Sequence, residues 1–375
     1  MELRLFARSR GKFHLPILFD GEERVCEYAS QFLGSLVRSA RGYSLQTINH
    51  YGKQLKYFFK FLADDVRYSR MRIDHVVATI PSGVIDQYLA ELQNHELANS
   101  TVRNRDAVLM EFFKWLTTSE AGRARESSGY EGGLKSPGGK RKMPRFVTTD
   151  QVIRLQQSLY HESQRCIVHF MYDSGLRVSE VPRVLKSDID ALDCWPEEFH
   201  YLPLLIRGSK GQGGDNIKER YVLLSRAVYD RIKRYHSTMS YRLISSDAKP
   251  AFLNTKRKPI AVKAIQNMIA DASRRASFKS GTISAHRLRH GTALSILGGE
   301  SGKDYLEKLV LVQIQFGHSD IRATEAYTHI PPSLFDQVEG NKQVRARFEE
   351  AQRIFEKTFL STKNHLNHRG RKRKC

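Results

Sequence analysis

The 375-residue chain is long enough for two domains with separate cores. Lysine and arginine number 61 against 40 aspartate and glutamate residues, and the resulting formal net charge of +21 favours a polyanionic partner. No apolar run is long enough to span a bilayer, and the four widely separated cysteines argue against a zinc site or a disulfide framework.

Residues 1–21 are predicted to form an N-terminal extension of two short extended segments around a turn. No apolar leader region follows Met1, so we expect the protein to act in the cytoplasm. We assign the extension itself no function.

Four amphipathic helices are predicted in a domain of residues 22–120, because apolar side chains recur there at three- and four-residue steps. We expect the first helix to end near Gly42 and the next three to begin at caps formed by Ser44, Ser82 and Ser100. The aromatic residues of these helices are interpreted as core residues rather than as platforms for stacked nucleic-acid bases.

Basic residues concentrate in residues 121–145 and in the tail, residues 368–374. The first segment is rich in glycine, contains Lys140, Arg141 and Lys142, and is predicted to be a flexible basic linker that buries no core. Such a linker would allow two domains to close around a ligand. The tail is either a second contact with a polyanion or a solvated disordered segment.

A second, mostly helical domain is predicted at residues 146–335, interrupted by one β-hairpin with strands at 201–207 and 218–224. The C-terminal segment, residues 336–375, contains an apolar stripe between residues 344 and 359 that predicts one more helix.

Four short motifs contain the residue types needed to hold and attack a phosphodiester. They are Gly175-Leu176-Arg177-Val178-Ser179-Glu180, Ser209-Lys210-Gly211, His286-Arg287-Leu288-Arg289-His290, and Gly317-His318 followed by Tyr327. Attack at phosphorus increases the demand for positive charge around the non-bridging oxygens. Arginine meets that demand because its planar fork grips two oxygens and keeps its charge.

The third motif places His286, Arg289 and His290 on one face of a helix. Two histidines four residues apart also chelate zinc, but the neighbouring arginines would repel a cation and the glutamate of HExxH is absent, so we predict no metal. For His290, a satisfied core position is an equally good interpretation. Arg177 follows Gly175, where one helix is expected to end and another to begin, so we expect its guanidinium near an anion-favouring helix N-terminus.

From Arg177 to Tyr327, the order and spacing of these motifs resemble the tyrosine recombinases, which are the phage integrase family. The resemblance implies a mainly α fold with a small β-hairpin, built from an N-terminal helical core-binding domain of the SAM-like type and a mixed α+β catalytic domain of the DNA breaking-rejoining type. It also implies that no cofactor is needed.

By this resemblance, Tyr327 is the nucleophile, and removing its phenolic proton at pH 7 requires about 4 kcal/mol. His286 is the implied proton acceptor, and His318 is implied to donate a hydrogen bond to the phosphate. Lys210, predicted at a hairpin tip, is the implied acid for the leaving 5′ oxygen. Because the hairpin has extra residues, Lys218 stays open as a substitute.

The resemblance also implies that Arg177 and Arg289 bind the phosphate and that two residues support them. Glu180 is interpreted as an orienter of an arginine or a histidine rather than as a base, and His290 as a supporting residue. The predicted DNA contacts are Lys53, Arg103, Arg105, Lys140, Arg141 and Lys142. Taken singly, Lys53, Arg103 and Arg105 are each better interpreted as solvated surface charges.

The function implied is site-specific recombination by the integrase or transposase of a mobile element, which cleaves and rejoins duplex DNA through a 3′-phosphotyrosine without metal or ATP. The implied assembly is a homotetramer on nucleoid DNA, formed by exchange of the C-terminal helix, with possible accessory DNA-bending or directionality proteins. The alternative for that helix is packing on its own domain. The alternative functions are a DNA-binding module that does not cut and a type IB topoisomerase.

Overall fold

The computed structural model describes residues 1–7, 14–39, 42–138, 145–210, 217–242, 249–254, 256–299, 305–317 and 347–360. The chain divides into an N-terminal unit, Met1–Arg141 with Gly211–Asn216, and a C-terminal unit, Lys142–Lys210 with Ile217–Cys375. Within the described ranges, none of the helices is both long enough and apolar enough to cross a membrane.

The described part of the N-terminal unit combines one antiparallel hairpin with five helices. These are β1 (Glu2–Ala7), β2 (His14–Phe19), α1 (Glu27–Arg38), α2 (Leu45–Asp64), α3 (Ile73–Thr79), α4 (Ser82–Asn94) and α5 (Asn99–Leu116). The hairpin confirms the two extended segments predicted for the N-terminal extension. Phe58, Phe59, Phe112 and Phe113 are fully buried and in ring contact with one another, which confirms that the aromatic stripe is core.

The helix boundaries of this unit differ in part from the prediction. Ser44 caps α2 as expected, because its hydroxyl accepts a hydrogen bond from the Thr47 amide at 3.2 Å. The predicted caps at Ser82 and Ser100 are wrong, since both residues already lie inside their helices, past the capping position. Helix α1 ends at Arg38, before the predicted Gly42. Helix α3 was not predicted, because seven residues are too few to show a helical period.

Residues 121–138 pack on the N-terminal unit. Tyr130 is only 2% exposed and belongs to the same core as Phe113, 6.4 Å away between ring centroids. Arg125 donates to the main-chain oxygens of Val77 at 2.8 Å and Ile80 at 2.9 Å, which satisfies acceptors at the end of α3. This segment therefore has both a buried aromatic anchor and a set of backbone contacts.

Farther along the same segment, Ser136 donates through its amide and its hydroxyl to Asp106, each at 2.7 Å. Asp106 is fully buried on α5, so these bonds compensate for its desolvation. The prediction that residues 121–145 bury no core is thus wrong for 121–138. Composition averaged over the segment hid the single buried tyrosine. Residues 139–144, with Lys140, Arg141 and Lys142, lie outside the described residues.

The C-terminal unit is mostly helical with one hairpin, as predicted. Its described elements are α6 (Thr149–Gln157), α7 (Glu162–Ser174), α8 (Lys186–Asp190), β3 (Tyr201–Lys210), β4 (Ile217–Ser225), α9 (Arg226–His236), α10 (Met239–Arg242), α11 (Val262–Arg275), α12 (Ala285–Gly298), α13 (Tyr305–Phe316) and α14 (Arg347–Thr358). Helix α7 is buried along nearly its whole length and packs against α6, α9, α12, α14 and β4, so the core is built around it.

Helix α14 packs on its own domain. Ala351, Ile354 and Phe355 belong to the core of the C-terminal unit, against α6, α7 and α9. Of the two alternatives for the apolar stripe, the structure therefore has the intramolecular one. In this structure the apolar face of α14 is buried in its own unit and is not exposed for exchange with a neighbouring subunit. Residues 361–375 lie outside the described part of the chain.

Both ends of α14 are held by buried polar groups. At its start, Arg347 donates to the main-chain oxygen of Leu223 at 2.7 Å. At its end, the hydroxyl of Thr358 accepts from the fully buried Arg231 at 2.9 Å. The amide of Leu360 donates to Glu162 at 2.8 Å. These hydrogen bonds fix the position of α14 along its own axis and its distance from the core.

Candidate active site

Helix α7 ends where the first motif begins. Gly175 has a φ of +66°, a left-handed conformation that glycine adopts without strain, and its amide donates to Met171 at 3.1 Å. Arg177 follows in an irregular segment, and Pro182 lies in a short 3-10 turn, Val181–Arg183. No α-helix begins at Arg177, so the predicted helix N-terminus beside its guanidinium is wrong.

Glu180 sits at the centre of this motif with only 1% of its side chain exposed. Its Oε2 accepts from the Arg177 amide at 2.8 Å, and its Oε1 accepts from Arg177 Nη1 at 3.3 Å. Burial by itself would raise the pKa of Glu180, but the hydrogen bonds and positive charge of Arg220 and Arg177 lower it below its usual range. The carboxylate is therefore ionised at neutral pH, with its oxygens directed at arginines.

Arg220 is the site residue that sequence reasoning missed. Its Nη1 and Nη2 donate to the two Glu180 oxygens at 2.8 and 3.0 Å, a two-pronged ion pair. The alternation of side chains along β4 could have indicated this residue. Val222 and Leu224 are buried, while Tyr221 is 62% exposed. The alternation puts Arg220 on the inward face, and an inward arginine in a strand requires a buried anionic partner.

Arg289 connects three segments of the C-terminal unit. Helix α12 contains Arg289 and is capped by Ser284, whose hydroxyl accepts a hydrogen bond from the Arg287 amide. The buried Arg289 side chain donates to the main-chain oxygens of Gly175 at 2.5 Å and Phe316 at 2.9 Å. Its Cζ lies 3.9 Å from the centre of the Phe316 ring. The guanidinium thereby brings the end of α13 to the end of α7.

His286 and His290 are in ring contact on α12, with centroids 4.4 Å apart. His286 is exposed, and His290 is partly buried beside Phe146. Desolvation, followed by the charges of Arg289 and Arg177, lowers the pKa of His286. Desolvation and the neighbouring His286 lower the pKa of His290 to about 4. Both rings are therefore neutral at pH 7.

Gly317 brings the segment that leads to His318 against Arg220. It has a φ of +60°, and a Cβ added to it would lie 2.5 Å from Cδ of Arg220. The arginine stem thus packs directly on the glycine backbone. His318 and Tyr327 lie outside the described residues, so their predicted positions in the site stay predictions.

A β-bulge shapes the strand end that carries Lys210. The β3–β4 register shifts between Ile206 and Ser209, and Arg183 Nη1 donates to the Gly208 oxygen at 3.0 Å. Lys210 pairs with Ile217 as the last residue of β3, so it belongs to the strand and not to the hairpin tip where it was predicted. The side chains of Lys210 and Lys218 are outside what the structure describes.

The predicted DNA contacts of the N-terminal unit differ in their surroundings. Lys53 is exposed on α2. Arg103 donates to the Ser136 main-chain oxygen at 3.2 Å, and Arg105 donates to the Tyr88 hydroxyl at 3.2 Å. The two arginines thus make intramolecular contacts, which limits how far they can reach.

The described site is a cationic cluster. The guanidinium groups of Arg177 and Arg220 pair with the Glu180 carboxylate, and that of Arg289 binds the main-chain oxygen of Gly175, two residues before Arg177. The nearby histidines are neutral, so net positive charge remains. Such a cluster can bind an anion with planar oxygen geometry. Among the described residues, no three histidine, cysteine, aspartate or glutamate side chains lie close enough to hold a metal ion.

Comparison with known proteins identifies the family of this chain. The model of the phage integrase family matches residues 145–333, and that of the phage integrase N-terminal SAM-like domain matches residues 30–120. Tyrosine recombinase XerC of Halalkalibacterium halodurans is 26% identical over 333 residues, which cover 85% of this chain and 98% of that protein.

Two solved structures share the fold. The XerH site-specific recombinase bound to its difH substrate before cleavage is 18% identical with a TM-score of 0.57, covering 83% of each chain. A lambda integrase tetramer bound to a Holliday junction is 11% identical with a TM-score of 0.55, covering 84% of this chain and 95% of the other.

The fold predicted from the sequence, a SAM-like N-terminal domain with a catalytic domain, is therefore confirmed. The catalytic-domain model alone spans half of the chain, and the described arginine cluster falls within it. The chain belongs to the phage integrase family of tyrosine recombinases and is a site-specific DNA recombinase.

Proposed function

We propose that this recombinase cleaves and rejoins duplex DNA through a 3′-phosphotyrosine formed at Tyr327, without metal or ATP. One observation supports this most: Arg289 joins the Arg177 motif to Phe316-Gly317, the residues directly before His318. Residues of motifs that are more than one hundred positions apart in sequence therefore lie in direct contact, which supports the proposal that they share one phosphate.

The proposed step exchanges one phosphate ester for another. The Tyr327 oxygen attacks phosphorus, its proton passes to a ring nitrogen of His286, and the new oxygen–phosphorus bond replaces the bond to the 5′ oxygen. Lys210, or Lys218 in its place, gives a proton to that leaving oxygen. A 5′ hydroxyl from another strand reverses the reaction, and the ester energy is kept throughout.

The arginines have separate parts in this proposal. Arg177 is 33% exposed and uses Nη1 for Glu180, while its Nε and Nη2 make no hydrogen bond within the described ranges, so they are available to a phosphate. Arg289 adds positive charge from the buried side, and His318 donates to a non-bridging oxygen. Glu180 orients Arg177, and His290 supports His286.

The lowered pKa of His286 fits the part of proton acceptor. A ring that is neutral at pH 7 can take the phenolic proton, whereas a protonated ring cannot. The two arginine charges that lower its pKa are the same charges that would stabilise the phosphorane-like transition state. One set of cations thus serves two purposes.

On the biological scale, we propose an integrase or transposase of a mobile element that acts on nucleoid DNA as a tetramer, with accessory proteins where directionality is required. The net charge of +21 supports binding to DNA, with Lys53 and the basic residues 140–142 as contacts. The proposal of a tetramer is based on the similarity to lambda integrase, whose structure named above is a tetramer on a Holliday junction.

A nicked suicide duplex tests the reaction. The duplex is recovered by binding selection from a randomised pool, and a nick beside the scissile phosphate lets the 5′ fragment diffuse away. We expect a covalent protein–DNA adduct that is lost in Tyr327→Phe and kept in Tyr221→Phe, a control on an exposed tyrosine of β4. No adduct with any selected duplex would leave a DNA-binding module. Relaxation of plasmids without the selected site would favour a topoisomerase.

A further inference from the structure

We infer that Arg220 is a positioning residue of the cleavage site, which holds Glu180 so that Arg177 stays directed at the scissile phosphate. The inference rests on the proposed function and adds to it a residue from outside the four motifs. Arg220 is not placed in contact with substrate. It acts through Glu180 on one side and through Gly317 on the other.

The geometry of the ion pair depends on arginine. Both terminal nitrogens of Arg220 reach the Glu180 carboxylate, at 2.8 and 3.0 Å, and only 9% of the Arg220 side chain is exposed. A planar fork fixes the carboxylate in rotation as well as in position, which a lysine ammonium cannot do. The same two oxygens then accept from the amide and from Nη1 of Arg177.

The charges explain why this position matters for the reaction. Glu180 carries one negative charge and has two guanidinium partners, so the Arg220 pair is neutral and the charge of Arg177 remains for the substrate. Without Arg220, a buried carboxylate would depend on Arg177 alone. Arg177 would then turn further towards Glu180, or Glu180 would take up a proton. Either change disturbs the grip of Arg177 on a phosphate.

The second contact of Arg220 lies on the route to His318. Cδ, Nε and Cζ of Arg220 would lie 2.5, 2.8 and 3.3 Å from a Cβ placed on Gly317, so the stem is seated on that backbone. The Nε–H group is buried and makes no hydrogen bond within the described part of the chain. One side chain therefore joins the segment of Arg177 to the segment of His318.

The chain offers a matched control for the loss of a buried arginine. Arg231 also makes a two-pronged pair, donating from Nε and Nη2 to Glu162 at 2.6 and 3.1 Å, and it is fully buried. Its other partners include Gln156 and Thr358, which belong to none of the four motifs. Arg231→Gln removes a comparable buried ion pair while leaving the site untouched.

The test measures single-turnover adduct formation on two nicked duplexes, one with a normal scissile phosphate and one with a methylphosphonate, which lacks a non-bridging negative charge. We expect Arg220→Gln to slow cleavage of the phosphate by about 10- to 100-fold, by analogy with the loss found when a residue that orients a metal ligand is removed. The loss should be several-fold smaller on the neutral methylphosphonate, because Arg177 has less charge to compensate there. Arg220→Lys should lie between Arg220→Gln and the parent protein.

Thermal unfolding of each variant separates folding from positioning. Arg231→Gln is expected to lose similar stability but to keep the same rate ratio between the two duplexes as the parent. If Arg220→Gln does not fold, Arg220→Lys supplies the comparison. Glu180→Gln combined with Arg220→Gln removes the carboxylate that competes for Arg177, so we expect this double variant to cleave faster than Arg220→Gln.

The outcomes are distinguishable. A parent protein that forms no Tyr327 adduct overturns the proposed function and this inference with it. A parent that forms the adduct, together with an Arg220 variant that cleaves at the parent rate or is slowed equally on both duplexes, overturns the inference alone.

Discussion

Replacing Gly175 with alanine perturbs the point where Arg289 meets the end of α7. Gly175 has a φ of +66°, and an added Cβ would lie 2.5 Å from Cε1 of Phe316 and 3.1 Å from Cγ2 of Thr292. The Phe316 ring would therefore have to move. Because Arg289 stacks on this ring and donates to the Gly175 oxygen, the arginine would be displaced as well. We therefore expect Gly175→Ala to lose both stability and cleavage activity.

The magnitude has two parts. A left-handed alanine costs about 1–2 kcal/mol relative to glycine. Overpacking against a buried ring adds about 1–3 kcal/mol, because a protein interior cannot absorb a methyl group without moving its neighbours. The sum is a loss of about 2–5 kcal/mol in the free energy of unfolding.

Gly281 provides the control, since it has a φ of +71° in the same unit and an added Cβ there would meet nothing within 4 Å. Gly281→Ala should show the backbone strain alone, about 1–2 kcal/mol. Urea unfolding followed by tryptophan fluorescence and circular dichroism measures both variants, with separate transitions fitted for the two units. Equal losses for the two variants would refute the contact between Gly175 and Phe316.

Three further predictions concern protonation and the packed segment. Burial lowers the pKa of His236 from 6.5 to about 4. Between these two pH values the ring is protonated in the unfolded chain and neutral in the folded one. The free energy of unfolding should therefore fall by about 3 kcal/mol from this residue between pH 6.5 and pH 4, with His290 acting in the same direction, and His236→Asn should flatten the pH profile. Because the pKa of His286 is lowered, the acid limb of single-turnover cleavage should lie below pH 6.5, and a limb at or above 6.5 would contradict its part as acceptor. Arg125→Ala leaves two main-chain oxygens without their donor and should destabilise the N-terminal unit by about 1–3 kcal/mol, whereas a change within about 0.3 kcal/mol in urea unfolding would show that residues 121–138 are not held there.

Much of the site was predictable from the sequence because its chemistry lies in short local motifs. Gly175 before Arg177 marks a helix end, and helical spacing puts His286 and His290 side by side, as the ring contact shows. Ser44 was recognisable as a cap because capping depends on only four residues. In each case the interaction that determines the structure joins residues that are close together in the sequence.

What could not be predicted depends on contacts between distant segments. The partnership of Arg220 with Glu180 requires strand β4 to lie beside the end of α7, which no local pattern specifies. Tyr130 looks like part of a linker until Asp106 and the core of the N-terminal unit are in place beside it. Composition and periodicity report how a segment behaves alone, and tertiary packing overrides them at such positions.

The two-ended attachment of α14 has a practical consequence for anyone who wishes to label or shorten the protein. Arg347 and Thr358 anchor the helix, and Leu360 makes the last described bond to Glu162. A fluorescent reporter or purification handle fused in place of residues 361–375 leaves every one of these bonds intact. A truncation inside α14 would instead strip Ile354 and its neighbours from the core, and the shortened protein would be expected to aggregate.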